Sequence, residues 1–255
     1  MCIRDRTISH NKALVFAIIL ALASFLSLYF LNNLLAAVLA FLGGFFYVVI
    51  YTLYLKKRTV QNIVVGGAAG AFPPLVGYAA ISNTITLEAI YLFVIIFFWT
   101  PPHFWALALY RSDQYKAAGI PMMPWVHGPR RTLTEMRVYA LILIGIAAMP
   151  WLNPSEVGEL SAYLYTLIVL LLGIWYNQSV ISINVNQPLD EKGRIPSAAR
   201  SFYISLSYLA LIFVSLVSVL FSPELTIMFL VLIMLNILSK IFRRKSSSEP
   251  SIASD

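Results

Sequence analysis

The stretch from Trp99 to Pro124 concentrates the side chains that could do chemistry on a substrate. It reads WTPPHFWALALYRSDQYKAAGIPMMP, with one imidazole, His103, inside an apolar run, followed by a mixed-charge group: Arg111, Asp113, Tyr115 and Lys116. Because a helix rises about 1.5 Å per residue, we expect His103 to lie roughly 12 Å deeper than Arg111. A charged rim above a buried polar point suits a substrate with a charged head and a long apolar tail.

The mixed-charge group fits the departure of a diphosphate. Neutralising the charge that develops on this leaving group takes lysine, arginine and magnesium, and magnesium is usually held by one or two carboxylates together with phosphate oxygens. Asp113 is the best-placed carboxylate for that role. The competing interpretation is a solvated surface beside a membrane, which is the commoner origin of such a group, and the sequence leaves both open.

His103 also has two interpretations. Pro101 and Pro102 deprive two preceding carbonyls of their helical partners, and His103 could satisfy one of them locally. Ionisable residues at membrane depth are otherwise usually functional, so a role in binding a ligand or substrate has equal weight. The aromatic rings nearby either fill a core or line a pocket for a flat ring or a developing carbocation. They are Phe97, Phe98, Trp99, Phe104, Trp105 and Tyr110.

Another polar block, the first in chain order, lies at residues 56–80 and reads KKRTVQNIVVGGAAGAFPPLVGYAA. The mixed-charge group after His103 belongs to the second block. The three consecutive cations of the first block, residues 56–58, are either an orientation anchor at the end of a span or part of a site, and Asn62 lies one turn further in. Two glycines four residues apart permit close helix packing. The proline pair at 73–74 is expected to break the backbone hydrogen-bond ladder midway, where protein or a cavity must satisfy the freed carbonyls.

Composition places both blocks in a membrane. Apolar residues make up 60% of the chain and charged residues 11%, with a mean hydropathy of +0.80, which excludes an ordinary soluble domain. A span needs about 20 mostly apolar residues. Eight segments qualify: 13–31, 34–54, 63–81, 87–109, 138–152, 161–183, 201–221 and 225–241. The third is rich in glycine and proline and the fifth is short, so each of these two is either a full span, a half-span or a segment that begins earlier than these bounds. We therefore predict an all-α fold, a polytopic membrane helical bundle.

The distribution of charge predicts the orientation of this bundle. All 18 Lys and Arg fall on alternate connections of an eight-span chain, and positive connections stay cytoplasmic, so both termini are expected there. The opposite connections carry acidic residues instead: Glu88, Glu156, Glu159 and Glu224. The net charge of +7 is therefore a topology signal, and no nucleic-acid partner is expected, because no basic helix interleaved with base-stacking aromatics is present.

The remaining segments offer little chemistry. Cys2 alone gives neither a disulfide framework nor a Cys-His metal cluster, and no cleavable signal peptide is evident. We expect residues 1–12 to be a cytoplasmic connection, residues 13–242 to form the membrane domain, and residues 243–255 to be a disordered cytoplasmic tail. The loop at 184–194 either covers a head group or is a solvated turn.

The two polar blocks together resemble those of a known family. The chain is similar here to the protoheme IX farnesyltransferase (heme O synthase) family, within the intramembrane aromatic prenyltransferase superfamily. The matching blocks read YTLYLKKRTVQNIVVGGAAGAFPPLVGYAA and FFWTPPHFWALALYRSDQYKAAGIPMMP. The resemblance extends from about Thr7 to Pro223. It implies a fold of roughly nine spans around a central cavity that is open to the cytoplasmic side. It also implies that the protein lies in the lipid bilayer of the bacterial plasma membrane.

The resemblance also implies a reaction and its residues. Farnesyl diphosphate ionises with the help of magnesium, a vinyl group of heme B captures the allylic cation, and water completes the side chain of heme O. Heme-handling or terminal oxidase assembly proteins are the partners it suggests. By position, the implied diphosphate and substrate ligands are Lys57, Arg58, Asn62, Arg111 and Lys116, and the implied catalytic residues are Asp113, His103 and Tyr115, with Asp113 also the magnesium ligand.

The sequence departs from this family in two places. The family usually has Asp immediately before the motif tyrosine, where Gln114 stands here, so that the acid is Asp113. Members also have two further spans, a first Asp-rich motif and an Arg-Thr-x-x-Arg-Pro run before the helix that starts here at Ala13, whereas this chain has only Arg6 and Thr7. We therefore expect an N-terminally truncated chain whose single carboxylate does not suffice for the magnesium-diphosphate cluster, and an added span after Pro223.

Other functions stay open at this point. A prenyltransferase acting on a quinone precursor would use the same chemistry, although the WTPPHFW block argues against it. A transporter could line its path with proline-broken helices, but no inverted internal repeat is evident. A purely structural subunit fits poorly with a buried His103 beside two prolines.

Overall fold

The computed structural model of the protein describes residues 9–149, 158–191 and 194–233, with the side chain of Asp113 excepted. Every regular element in those ranges is a helix, which confirms the predicted all-α class. The predicted tail and residues 1–8 lie outside them. In chain order the helices are α1 (His10–Leu31), α2 (Leu34–Phe45), which continues directly as a π-helix (Phe46–Leu55), α3 (Asn62–Ser82), α4 (Leu87–Tyr110), α5 (Ser112–Ala117), α6 (Met123–Val126), α7 (Gly128–Ala147), α8 (Glu159–Ile181), α9 (Pro196–Phe221) and α10 (Pro223–Ile233).

Six described helices are long and apolar enough to cross a membrane: α1, α2 with its π-helical continuation, α3, α4, α8 and α9. Each of the eight predicted segments coincides with a helix, the last as far as Ile233. α1 begins before the predicted boundary because Ser9 caps its first turn, accepting from the Lys12 amide at 3.4 Å. α7 begins at Gly128 rather than 138, because its polar first half still packs one face, including Met136, into the bundle.

The two proline pairs do not end their helices. Pro73 and Pro74 lie within α3, and a second pair at 101–102 lies within α4, and both helices are continuous. The prolines have no backbone N–H and so interrupt the hydrogen-bond ladder as predicted, but the path of each helix continues through them. Beside the second pair, the Thr100 hydroxyl donates to the Ile96 carbonyl at 2.7 Å. Hydroxyl side chains and neighbouring helices are what make proline tolerable inside a membrane helix.

α4 is the central helix of the bundle. It packs against α3, α7 and α9, and α8 packs against both α7 and α9. Its fully buried Trp105 lies in one core with Tyr176 of α8 and Tyr208 of α9. Because lipid is as apolar as these side chains, close packing rather than exclusion of water stabilises their contacts in a bilayer. The helix that carries His103 is therefore held on three sides.

The outer surface of the bundle is apolar. α1 packs against α2 and contains no buried residue, and large apolar side chains project outward from other helices as well, such as Phe221, which is 74% exposed. Soluble proteins rarely expose apolar surfaces of this extent. The chain is therefore an integral membrane protein, with these faces turned toward lipid.

The two polar blocks come together at one end of the bundle. Asn62, at the start of α3, donates to the carbonyl of Pro121, between α5 and α6. At the opposite end, the Tyr91 hydroxyl near the start of α4 donates to the carbonyl of Ala147 at the end of α7. We call the first of these the polar end and define it by residues 56–62, 111–127, 182–191 and 194–195.

Candidate active site

A cavity of about 460 Å³ lies between the π-helix, α3 and α4, next to the polar end. Its wall is apolar and consists largely of glycine and aromatic residues. The lining residues are Gly43, Gly44, Tyr47, Tyr51, Ile63, Gly66, Gly67, Ala69, Gly70, Ile96, Trp99, Thr100 and Phe104. Such a space accepts hydrocarbon rather than a charged group.

The glycines in this wall serve two purposes. A Cβ on Gly66 would overlap the ring of Tyr51, so Gly66 lets that ring lie directly on α3. A Cβ on Gly67 would lie 2.9 Å from Cγ2 of Thr100, so Gly67 allows α3 and α4 to approach closely. Gly44 and Gly70 face open space instead. Their missing side chains leave the cavity hollow.

The π-helix contributes two tyrosines that the sequence did not single out. Tyr47 and Tyr51 line the cavity, with their ring centroids 5.6 Å apart. The Thr52 hydroxyl donates to the Tyr47 carbonyl five residues earlier, at 2.8 Å. π-helical turns are rare and often lie at functional sites. Nothing in the apolar run FYVVIYTLYL separates this conformation from an ordinary α-helix, so the sequence offered no signal for it.

The first basic block follows the π-helix directly. Lys57 and Arg58 are exposed at the polar end, and the guanidinium carbon of Arg58 lies 4.6 Å from the ring centroid of Tyr54. Lys56, which was not among the predicted ligands, lies closer to the cavity. Its ammonium nitrogen is 5.9 Å from the centroid of Tyr51, a lining residue.

Asn62 joins the two polar blocks. Its side chain is fully buried, and Nδ2 donates to the carbonyls of Lys56 and Pro121, both at 3.3 Å. Its Oδ1 is buried without a hydrogen-bond partner in the described part of the chain. Unpaired buried acceptors are costly and usually mark an unseen partner or a functional constraint. The predicted contact of Asn62 with a diphosphate stays a prediction.

Tyr115 packs beside the residues that line the cavity. It belongs to one apolar cluster with Tyr51, Ile63 and Phe104. Burial raises the pKa of the Tyr115 hydroxyl, and the nearby Arg111 cation lowers it by less. Tyr115 is therefore a neutral hydrogen-bond donor at ordinary pH.

The other charged residues of the second block lie on the outside of the polar end. Arg111 ends α4, with its guanidinium carbon 5.9 Å from the centroid of the Tyr110 ring, and it is exposed. Lys116 is exposed on α5. The backbone of Asp113 lies in the same short helix. The fold thus keeps Arg111, Asp113, Tyr115 and Lys116 within one turn and a half of α5 and the end of α4.

His103 turns away from this rim, toward α9. It is 6% exposed, and its Nδ1 lies 2.6 Å from Oγ of Ser205. Its ring stacks between Trp99 and Phe202, at centroid distances of 4.1 and 4.6 Å. It does not take the local role that the preceding prolines suggested, because its described hydrogen bond is to a residue of another helix. The predicted contact of His103 with a substrate stays a prediction.

The aromatic residues around His103 divide into two groups. Trp99 and Phe104 line the cavity. Trp105 lies in the core instead, edge-on to Tyr139 at 5.5 Å, and Tyr110 lies beneath the guanidinium of Arg194 at 4.9 Å. Two of the six aromatic residues named from the sequence thus line the cavity, together with the two tyrosines of the π-helix. A role of these rings in holding a flat ring or a cation stays a prediction.

The loop before α9 is attached to the end of α4. Arg194 donates to Asp190 through Nε at 2.9 Å and forms an ion pair with it through Nη2 at the same distance. This fixed guanidinium is the one that covers Tyr110. The loop is thus anchored to the end of α4 at Arg194. Whether it covers a head group or is a solvated turn stays a prediction.

The predicted magnesium site depends on a residue whose side chain the structure does not describe. Within the described residues, no group of three or more His, Cys, Asp or Glu side chains lies close enough to hold a metal ion. Asp113, the predicted magnesium ligand, has a side chain outside that description. Its role as a ligand stays a prediction.

Together, the fold and the site define an intramembrane helical bundle whose apolar cavity lies beneath a basic rim. A family model described as the UbiA prenyltransferase family matches residues 3–192. This match covers most of the chain, and the chain belongs to that family. No solved structure matches it significantly.

The chain is also similar to curated bacterial proteins, each named protoheme IX farnesyltransferase. It is 44% identical to the one from Bradyrhizobium diazoefficiens over 211 residues, which are 83% of this chain and 65% of that protein. It is 44% identical to the one from Neorickettsia sennetsu, over 81% of this chain and 64% of that protein, and 46% identical to one from Thermus thermophilus, over 82% of this chain and 33% of that protein. The chain thus spans at most 65% of the length of these three relatives.

Proposed function

We propose that this protein transfers the farnesyl group of farnesyl diphosphate to a vinyl group of heme B, giving heme O. The observation that carries the proposal is the meeting of a cation-rich rim with an apolar cavity: Asn62 ties the first basic block to Pro121, and Tyr51 and Tyr115 pack together beside the cavity. The names of the relatives agree with this assignment.

The reaction separates charge at the boundary between rim and cavity. The C1–O bond of farnesyl diphosphate breaks, and its electron pair leaves with the inorganic diphosphate. The vinyl π electrons of heme B then form the new bond to C1, which moves the positive charge to the vinyl carbon next to the porphyrin. Water adds to that carbon and loses a proton, which completes the hydroxyethylfarnesyl side chain.

The chain's own residues match these demands by position. Lys57, Arg58, Arg111 and Lys116 supply positive charge where the diphosphate develops negative charge, and such preorganised charges are often the largest single contribution to catalysis. Tyr115, neutral at ordinary pH, would donate a hydrogen bond to the leaving group. The cavity accepts the isoprenoid tail, and its aromatic walls would attract the cation and exclude water until the vinyl group reacts.

Enzymes of this family generally depend on a metal ion, and we propose magnesium for this protein, with Asp113 as its ligand. When bound, magnesium would neutralise charge on the departing diphosphate. Asn62, whose Oδ1 is buried without a partner in the described residues, fits a second oxygen donor at the same rim.

We further propose that the polar end faces the cytoplasm of a bacterial plasma membrane, with both termini on that side. The described part of this end carries the cations at 56–58 together with Arg111, Lys116 and Arg194, and positive connections stay cytoplasmic. Heme B arrives as a second substrate rather than a resident cofactor. Proteins that handle heme or assemble terminal oxidases are the partners this chemistry would need.

One assay tests the proposal. The full-length protein in lipid nanodiscs receives heme B, farnesyl diphosphate and magnesium, and products are identified by mass. We expect heme O to form, and to be reduced at least tenfold in the double variant Lys57→Ala, Arg58→Ala. Absence of product, with neither heme nor farnesyl diphosphate bound, would remove the proposal. Prenylation of an aromatic quinone precursor in place of heme would replace it with the alternative acceptor.

A further inference from the structure

His103 does not line the cavity, but both of its cavity-side neighbours do. Trp99 stacks on the imidazole at an interplanar angle of 21°, and Phe104 meets it edge-on, with ring centroids 5.2 Å apart. Trp99 and Phe104 both contribute to the cavity wall. The imidazole is therefore one layer behind two rings that a substrate would touch.

Ser205 of α9 holds this arrangement from the other side. Its backbone carbonyl accepts from Nε1 of Trp99 at 2.9 Å, and its Oγ lies 2.6 Å from Nδ1 of His103. One residue of α9 thus fixes two residues that lie one turn apart on α4. Phe202, one turn earlier on α9, covers the remaining face of the imidazole at 4.6 Å.

The imidazole of His103 is held in place on three sides. Oγ of Ser205 lies 2.6 Å from its Nδ1 and also 2.6 Å from the Phe202 carbonyl oxygen. With a hydrogen bond at Nδ1 and aromatic rings on both faces, the imidazole is oriented rigidly.

We propose that His103 is a positioning residue: together with Ser205 it sets the orientation of Trp99 and Phe104 and thereby the shape of the cavity that receives the isoprenoid tail. This inference rests on the proposed function for the identity of the tail. It assigns to α9, beyond the residues matched by the family model, a part in substrate fit that the sequence around His103 does not reveal.

The test separates fit from chemistry. Ser205→Ala removes the hydrogen-bond partner of His103, and the loss of one hydrogen bond predicts a rise of about fivefold in KM for farnesyl diphosphate, with kcat retained. His103→Phe keeps a ring between Trp99 and Phe202 but lacks Nδ1, so it should show the same rise. The double variant should be no worse than either single one, because both remove the same interaction.

The chain offers a matched control for this comparison. Ser215 is a buried serine on the same helix, and its hydroxyl donates to the Ile212 carbonyl at 2.7 Å, as that of Ser205 does to Phe202. The hydrogen bonds described for Ser215 are all within α9. Ser215→Ala should therefore leave KM unchanged, although it removes an equivalent local hydrogen bond.

Two kinetic results would overturn the inference, and a third result would overturn the proposed function on which it rests. Loss of kcat by a hundredfold or more in His103→Phe, at unchanged KM, would mean that the imidazole touches the reacting groups. Equal KM values for Ser205→Ala and Ser215→Ala would mean that the pair sets nothing. If the wild-type protein prenylates no heme, the proposed function fails. Calorimetric binding of farnesyl diphosphate then decides the inference, and equal affinities in Ser205→Ala and Ser215→Ala would overturn it.

Discussion

The side-chain amide of Asn62 donates a hydrogen bond to the carbonyl of Pro121, 59 residues away in the chain. A second bond from the same amide reaches the carbonyl of Lys56. One buried side chain therefore fixes the basic block and the segment after α5 relative to each other. Each block carries charge that the proposed reaction would need, and this side chain links the two.

Replacing this residue should uncouple the two blocks. Asn62→Ala removes both bonds and leaves two carbonyls without their donor, which should cost about 1–3 kcal/mol of stability and lower prenyl transfer further. Thermal unfolding in nanodiscs and the heme O assay measure the two effects. Gln61→Ala, at the exposed neighbouring position, is the control, and equal behaviour of the two variants would show that Asn62 is not the tie between the blocks.

The contact between Gly66 and Tyr51 gives a second prediction. Gly66→Ala places a methyl group where the Tyr51 ring now lies, and overpacking of this kind typically costs about 1–3 kcal/mol. The ring must move into the cavity, so turnover should fall by at least tenfold. Kinetics and thermal unfolding would be compared with Gly77→Ala.

Gly77 is the matched control because a Cβ there meets nothing within 4 Å, and Gly77 does not line the cavity. Alanine at that helical position should preserve turnover and stabilise the helix slightly. If Gly66→Ala retained full activity, the position of the Tyr51 ring would not matter for catalysis.

Tyr115 gives a prediction for pH. Burial raises the pKa of its hydroxyl above the ordinary value of 10.0, so the folded state favours the neutral form. Its contribution to stability is complete below about pH 10 and is lost as pH rises through the folded pKa. We expect the thermal midpoint of the wild type minus that of Tyr115→Phe to stay constant up to roughly pH 9. Above that it should fall, because only the wild type loses stability when this hydroxyl ionises on unfolding.

The same variant tests the role of the hydroxyl in transfer. If Tyr115 donates to the leaving group, Tyr115→Phe should lower kcat by about tenfold at every pH from roughly 6 to 9, without changing the shape of the profile. A profile that loses an acidic or basic limb in the variant would show that the hydroxyl exchanges a proton in this range.

The sequence predicted those features of the fold that depend on local chemistry. The eight apolar segments coincide with helices because long apolar runs are separated by Asn, Gly, Pro or charged connections, and these signals need no tertiary information. The start of α7 was missed because the first half of this helix is polar, so its buried face does not appear as an apolar run. The sequence could not establish the continuity of α3 and α4 through their prolines, because neighbouring helices and hydroxyl groups decide it.

The candidate site was predicted only in part, for the same reason. Residues adjacent in sequence, such as Arg111 and Tyr115, were found because they form one motif. The partner of His103 is Ser205, 102 residues away, and no local pattern connects them. Tyr47 and Tyr51 were missed because the π-helix, rather than the apolar run itself, turns them toward the cavity.

Asp113 gives the last prediction. It is the acid of the second block, one position away from the place where the family usually has one, and Gln114 stands there instead. If Asp113 holds magnesium, Asp113→Asn should lower kcat by at least a hundredfold and raise the magnesium concentration needed for half-maximal rate, with little change in thermal midpoint. Magnesium titrations of the two proteins, after chelation of residual metal, measure this directly. Asp190→Asn is the control, because Asp190 is engaged by Arg194 and its loss should affect stability more than the magnesium requirement. An unchanged magnesium requirement in Asp113→Asn would return Asp113 to the solvated surface of the polar end and leave the ligand to be sought elsewhere in the full-length protein.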